Sequence, residues 1–149
     1  DLGLTGYESP AELEDDAALT ARVREIRVAA AALMGLGDAP TVPKLSLLAP
    51  PRAGGAISTR TFIPVRVHEA IGVLGAAGVA AGLLIPGTIA AALAPRPEPG
   101  GRVRVEHPTG FLDVEVDVVA GGVPYAARTA VDRTARKIFD GTVYPGGPR

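Results

Sequence analysis

The chain has 149 residues, 47% hydrophobic and 21% charged, enough to bury one core and too few for two ordinary domains. A formal net charge of -1 gives no footprint for nucleic acid or an anionic membrane. With no cysteine and only His68 and His107, disulfides, thiol chemistry and a three-histidine metal site are all excluded within the chain. The first element in chain order opens at Ser9-Pro10-Ala11-Glu12, a capping box with Pro at the first helical position. Acidic Glu14, Asp15 and Asp16 follow, then Arg22, Arg24 and Arg27, in the order the helix dipole favours. Leu19, Val23, Ile26, Ala30 and Leu33 keep helical spacing, so one helix is predicted from about Pro10 to Met34, ended by Gly35 and Gly37.

Lys44 to Ala49, between prolines, reads as a strand, and Ile57 to Ile63 as a second closed by Pro64. Ala70 to Ile85 carries no charge and spaces Gly72, Gly75, Gly78 and Gly82 at steps of three and four. Its sixteen residues fall short of a bilayer crossing, which takes roughly 20. A helix buried on all sides, with glycines admitting neighbouring backbone, is the expectation. Thr88 caps a short helical segment to Leu93, and Pro95 to Gly101 is a loop. Arg102–Glu106 and Leu112–Val118 alternate as strands joined through Pro108-Thr109-Gly110. Tyr125–Val131 is another strand, Arg133–Phe139 is ambiguous between strand and helical turn, and Thr142–Tyr144 reads as a last strand after Asp140-Gly141.

Two places carry candidate chemistry. Arg60, Arg66 and His68 precede the glycine-rich helix, whose start would expose unpaired N–H groups to a carboxylate or phosphate. The alternative is that both arginines are solvated and His68 is a cap. His107-Pro108-Thr109-Gly110 offers an imidazole, a hydroxyl and open backbone, or is simply a turn. Asp113, Glu115 and Asp117 form the solvated face of a strand and not a metal cluster. Arg133, Arg136 and Lys137 lack the aromatics of a nucleic-acid surface, and Ser58 and Thr88 lack a base for hydrolase chemistry.

Four segments in order carry a resemblance: R-T-F-I-P-V-R-V-H-E-A-I-G-V-L-G-A at Arg60–Ala76, I-P-G-T at Ile85–Thr88, H-P-T-G at His107–Gly110, and A-V-D-R-T-A-R-K-I-F-D-G-T-V-Y at Ala130–Tyr144. Together they resemble the PrpF family of the diaminopimelate-epimerase-like folds. The resemblance implies an α+β fold of two similar halves, each a barrel-like mixed sheet around a buried central helix, with the active site between them. It implies a cofactor-independent and metal-free isomerase or tautomerase that shifts a proton across an allylic system in an unsaturated di- or tricarboxylate. The family's acid/base candidates, a Cys and a Lys, belong to the N-terminal half. The chain matches the C-terminal half, so residues 1–149 are expected as a single domain with no catalytic acid or base of its own. It would be active only when completed by an N-terminal half or a partner chain.

The reading of the residues and the resemblance meet at one place, and substrate binding is expected at Arg60, Arg66, His68, Gly72, Val73, Leu74, Gly75, His107, Thr109 and Gly110. Where distant epimerases have a Cys before Gly-Thr-Gly, this chain has Gly72-Val73-Leu74-Gly75. Glu69 and Leu74 stand where the isomerase branch commonly has Lys and Thr, which bears on which acid fits. No nucleic acid, membrane or cofactor is expected, a homo-oligomer is compatible with the exposed half, and the absence of an export signal points to the cytoplasm. Asp1 in place of Met points to upstream residues removed or carried on another polypeptide. The competing expectations are a non-catalytic carboxylate-binding or regulatory subunit, and an interaction protein using the apolar helix as its contact.

Overall fold

The computed structural model describes residues 2–37, 39–95, 97 and 102–146. At the start of the helical region the Ser9 hydroxyl accepts the Glu12 N–H at 3.2 Å, and Glu12 accepts the Ser9 N–H at 2.7 Å. This box starts α1 (Pro10–Asp15), which then stops. Asp16 turns extended, and its carboxylate accepts the Leu19 N–H at 2.9 Å as the N-cap of α2 (Ala17–Leu33). The single helix expected from Pro10 to Met34 is therefore two. Periodicity hid the break, because Asp stabilises a helix start better than a helix interior. Glu14 adds a tether, accepting the Val67 N–H at 2.7 Å and pairing with Arg66.

Among the described residues five strands form one mixed sheet in sequential order. β1 (Leu45–Ala49) and β2 (Ile57–Phe62) are antiparallel. β2 runs parallel to β3 (Arg102–His107) through the pairs Ile57↔Val105 and Ser58↔Glu106. β4 (Gly110–Val119) and β5 (Tyr125–Val131) continue antiparallel, with an irregularity at Asp117/Val118. A parallel pair cannot be joined by a tight turn. The crossover between β2 and β3 holds α3 (Val73–Leu84) and α4 (Ile89–Leu93), the latter capped by Thr88 as expected.

The sheet has a core on each face. On one side Ile57, Val103, Val105, Val114 and Val116 meet Ala76, Ala80 and Leu83 of α3. On the other, Phe62 and Val67 pack with Leu13, Leu19 and Val23 of α1 and α2. β2 lies between both layers, and all six of its residues are buried. The fold class is α+β, a curled half-barrel sheet, as expected from the sequence.

Two further expectations need correction. α3 is not buried all round: Ala76, Ala80 and Leu83 are sealed, but Leu74 is 88% exposed and Gly78 faces open space. The sheet wraps one side of the helix only, so Gly78 borders open space, Gly82 borders α4 and Gly75 borders the Ile71 side chain, and none is approached by backbone. Thr142–Tyr144 forms no strand, and residues 133–146 run without helix or strand. The segment has strand-like composition, but no sheet edge among the described residues pairs with it. Most of the expected loop Pro95–Gly101 lies outside the described residues. The acidic row on β4 is a solvated ladder: Arg104 grips Asp113 through two 2.8 Å bonds, Arg102 meets Glu115 and Asp132, and Arg128 meets Glu115 and Asp117.

Candidate functional site

α3 begins without a side-chain cap. Gly72 at the N-cap is extended and offers no acceptor, and the first backbone bond of the helix runs from the Ala76 N–H to the Gly72 carbonyl. The N–H groups of Val73, Leu74 and Gly75 precede that bond and have no partner within the helix. Exposed Gly72, Val73 and Leu74 leave this helix start open.

The corner His107–Gly110 lies beside the approach to α3. His107 pairs with Gly110 across the β3–β4 turn, and the Thr109 hydroxyl donates to the Glu69 carbonyl at 2.8 Å. One hydrogen bond thus joins two segments forty residues apart. The Thr109 proton is committed to Glu69, so the 3.4 Å contact with His107 has Nδ1–H donating to the hydroxyl. His107 then presents an unprotonated Nε2. His68 has the opposite arrangement: its Nδ1 accepts the Ala70 N–H at 3.0 Å, which leaves Nε2 as the donor. Burial pushes His107 below its usual value, opposed by a backbone contact at Phe111, and the positive fields of His68 and Arg60 push further down. The corner accordingly combines a neutral acceptor, a donor imidazole and free helix-start N–H groups.

Neither Arg60 nor Arg66 bonds to this corner, although the charge of Arg60 is felt at His107. The Arg60 side chain leaves the sheet toward the N-terminal segment, where Nε donates to the Glu8 carbonyl at 2.7 Å and Nη1 to the Thr59 carbonyl at 2.8 Å. Burial lowers its pKa, and the fields of Tyr7, Glu8 and Glu106 pull it back. Arg66, 78% exposed, pairs with Glu14 at 2.9 Å. Alternation along β2 explains the first case, since Ser58, Arg60 and Phe62 share the face opposite α3.

A second polar cluster went unread in the sequence. Residues 4–9 cross the sheet as a strap, with Ser58 Oγ donating to the Gly6 carbonyl and the Tyr7 hydroxyl donating to Glu106 at 2.5 Å. Tyr7 is stacked beneath Arg52 and Arg60, at 4.8 and 5.4 Å from their guanidinium carbons. Burial and the bond to Glu106 raise the Tyr7 pKa. Burial also pushes Glu8 up, yet N–H donors at Thr5 and Gly6 and the Thr5 hydroxyl hold it down to about 2. The strap lies so close that a Cβ on Gly6 would sit 2.1 Å from the Ala49 methyl. Glu106 alternates as a polar residue should on a half-solvated strand, so periodicity assigned it to solvent. The available signal was the facing turn Ala53-Gly54-Gly55, whose N–H groups need an acceptor.

Comparison with known proteins gives this geometry its context. The model of the family described as PrpF protein matches residues 1–145. The chain belongs to the PrpF family. It is 48% identical over 148 residues to a (4E)-oxalomesaconate Delta-isomerase of Novosphingobium sp. (strain KA1), covering 97% of this chain and 41% of that protein. It is 45% identical to a 4-oxalomesaconate tautomerase of Pseudomonas putida, covering 98% of this chain and 40% of the relative. A crystal structure of methylitaconate-delta-isomerase superposes with a TM-score of 0.72 at 18% identity, over 89% of this chain and 42% of that one. This PrpF chain thus has the fold of a known isomerase and spans about two fifths of the length of these relatives. No described helix is long and apolar enough to cross a membrane.

Proposed function

We propose that this chain is the C-terminal half of a PrpF-type isomerase or tautomerase and supplies the carboxylate-holding side of its active site. The observation that carries this is the uncapped start of α3 joined to the His107–Gly110 corner by the Thr109–Glu69 bond. Unpaired N–H groups at a helix start favour an anion, and the two imidazoles add a donor and an acceptor. The named activities of the relatives are consistent with an unsaturated polycarboxylate as the ligand.

In such a reaction a C–H proton is removed from one carbon and returned to another across the double bond. The carboxylate next to the reacting carbons takes up negative charge as the proton leaves. N–H groups of Gly75, Leu74 and Val73 and the His68 Nε2–H would stabilise that charge in a site already ordered for it. The proton itself would be moved by the Cys and Lys expected in the N-terminal half, since this chain has no cysteine. His68, His107, Thr109, Gly110 and Gly72–Gly75 are retained as substrate-side residues. Arg60 and Arg66 are assigned instead to the strap and to α1.

The test joins this chain to the N-terminal portion of the Novosphingobium relative and assays 4-oxalomesaconate isomerisation, alongside NMR titration of the chain alone with cis-aconitate. Turnover by the joined protein only, with amide shifts at residues 72–75, is expected. Shifts without turnover in the joined protein would make the chain a binding or regulatory subunit. No shift near α3 would overturn the site.

A further inference from the structure

Among the described residues Glu106 is the one acidic side chain that is buried, 3% exposed. Carboxylates are rarely buried so fully unless their oxygens are satisfied, and here they are. Oε2 accepts the Tyr7 hydroxyl at 2.5 Å and the Arg52 N–H at 3.2 Å. Oε1 accepts the Ala53 and Gly55 N–H groups at 2.8 and 2.7 Å. Gly55 has to be glycine for this, because a Cβ there would lie 2.5 Å from Glu106 Cγ. The main chain is held as well: the Glu106 carbonyl accepts the Thr59 hydroxyl at 2.8 Å.

Everything Glu106 fixes lies on one side of it, and the candidate site begins on the other. The next residue is His107. From there the path runs through the His107–Gly110 pair to Thr109, from the Thr109 hydroxyl to the Glu69 carbonyl, and on to the turn where His68 accepts the Ala70 N–H. Each link is a hydrogen bond or a covalent neighbour. A displaced strand end at 106 would move the corner relative to Glu69 and lengthen the already long 3.4 Å contact between Thr109 and His107. That contact bears on which His107 ring nitrogen carries the proton, alongside the backbone contact at Phe111.

We propose that Glu106 is a positioning residue. It locks the end of β3 to the strap and the 52–55 turn, and so holds the His107–Gly110 corner where Thr109 can fix the His107 tautomer. What the corner serves rests on the function proposed above, whereas the tautomer can be read without any substrate.

The experiment is long-range proton–nitrogen NMR of the histidine rings in the full chain, free of ligand. The unsubstituted protein should show His107 as a single Nδ1–H tautomer. Glu106→Gln replaces an oxygen that only accepts by an amide that donates, facing donors on every side. The His107 signal should then become a tautomer mixture, and Thr109→Val should reproduce that change with Glu106 intact. A folded Glu106→Gln chain that melts earlier but keeps the single tautomer would overturn the proposal and leave Glu106 a stabilising residue only. Should Glu106→Gln fail to fold, Tyr7→Phe removes one donor and keeps the charge. It should give partial mixing, and an unchanged His107 would overturn the proposal. Failure of the functional reading shows differently, as rings of the unsubstituted protein that ignore added carboxylate.

Discussion

The two ends of the sheet are built to different standards. At β2 every residue is buried, apolar layers lie on both faces, and the polar side chains Ser58, Thr59 and Arg60 each meet a backbone carbonyl. At β5 the first five residues are exposed, and the chain beyond leaves Ile138, Phe139, Val143 and Tyr144 between 64% and 86% exposed. The difference teaches where stability resides: the β1–β3 end is closed by contacts within the chain, while the β5 end and the outer side of α3 are surface still open to cover. A sheet wrapped around one side of its helix, in a chain two fifths the length of its relatives, has this asymmetry built in.

Substitutions should break the comparison hardest at the closed end. Phe62→Ala empties a site 1% exposed in the core against α1 and α2, and should cost about 3–5 kcal/mol in urea unfolding. Glu106→Gln should follow at about 1–3 kcal/mol, the penalty of donors left unsatisfied in a buried setting. Acid should attack the same end. Burial raises the Glu106 pKa, but the Tyr7 hydroxyl and the N–H groups of Gly55, Arg52 and Ala53 lower it further, and Glu8 is held down to about 2. A carboxylate with a lowered folded pKa adds stability that is complete above its ordinary value of 4.5 and fades as pH falls through the folded value. Melting temperature should therefore drop from pH 4.5 toward pH 2, more steeply in the unsubstituted chain than in Glu106→Gln.

Smaller effects sharpen the contrast. Asp16→Ala removes the α2 cap and should cost about 1 kcal/mol, with helical circular dichroism reporting the frayed turn. Phe139→Ser, at the open end, should change the stability of this chain by less than about 0.5 kcal/mol. A large loss there would mean that the segment after β5 packs on the sheet after all.

Much of the architecture was legible because local rules and tertiary packing agree. The Ser9 box, the Thr88 cap, the alternation of β3 and β4 and the two-residue corner at Pro108-Thr109 each express a preference satisfied within a few residues. The helix break at Asp16 was not legible, since Leu19 and Val23 keep an apolar period whether or not the chain turns between Asp15 and Ala17. The site was legible in part: His107, Thr109 and Glu69 do meet, but nothing in Arg60 or Arg66 indicates that Glu8 and Glu14 would claim them first. Glu106 escaped notice because its partners come from Tyr7 and from backbone N–H groups, which leave no trace in a local pattern.

The Tyr7–Glu106 bond also has a consequence in time. Its partners are 99 residues apart, while the β3–β4 turn closes locally between His107 and Gly110. Closing a long loop costs more entropy than closing a short one, and contacts of high sequence separation tend to form late. During synthesis the strap precedes β3 and has nothing to clasp until that strand follows. Stopped-flow refolding followed by tyrosine fluorescence should place the strap in the last phase, after the hairpin that carries the site has formed.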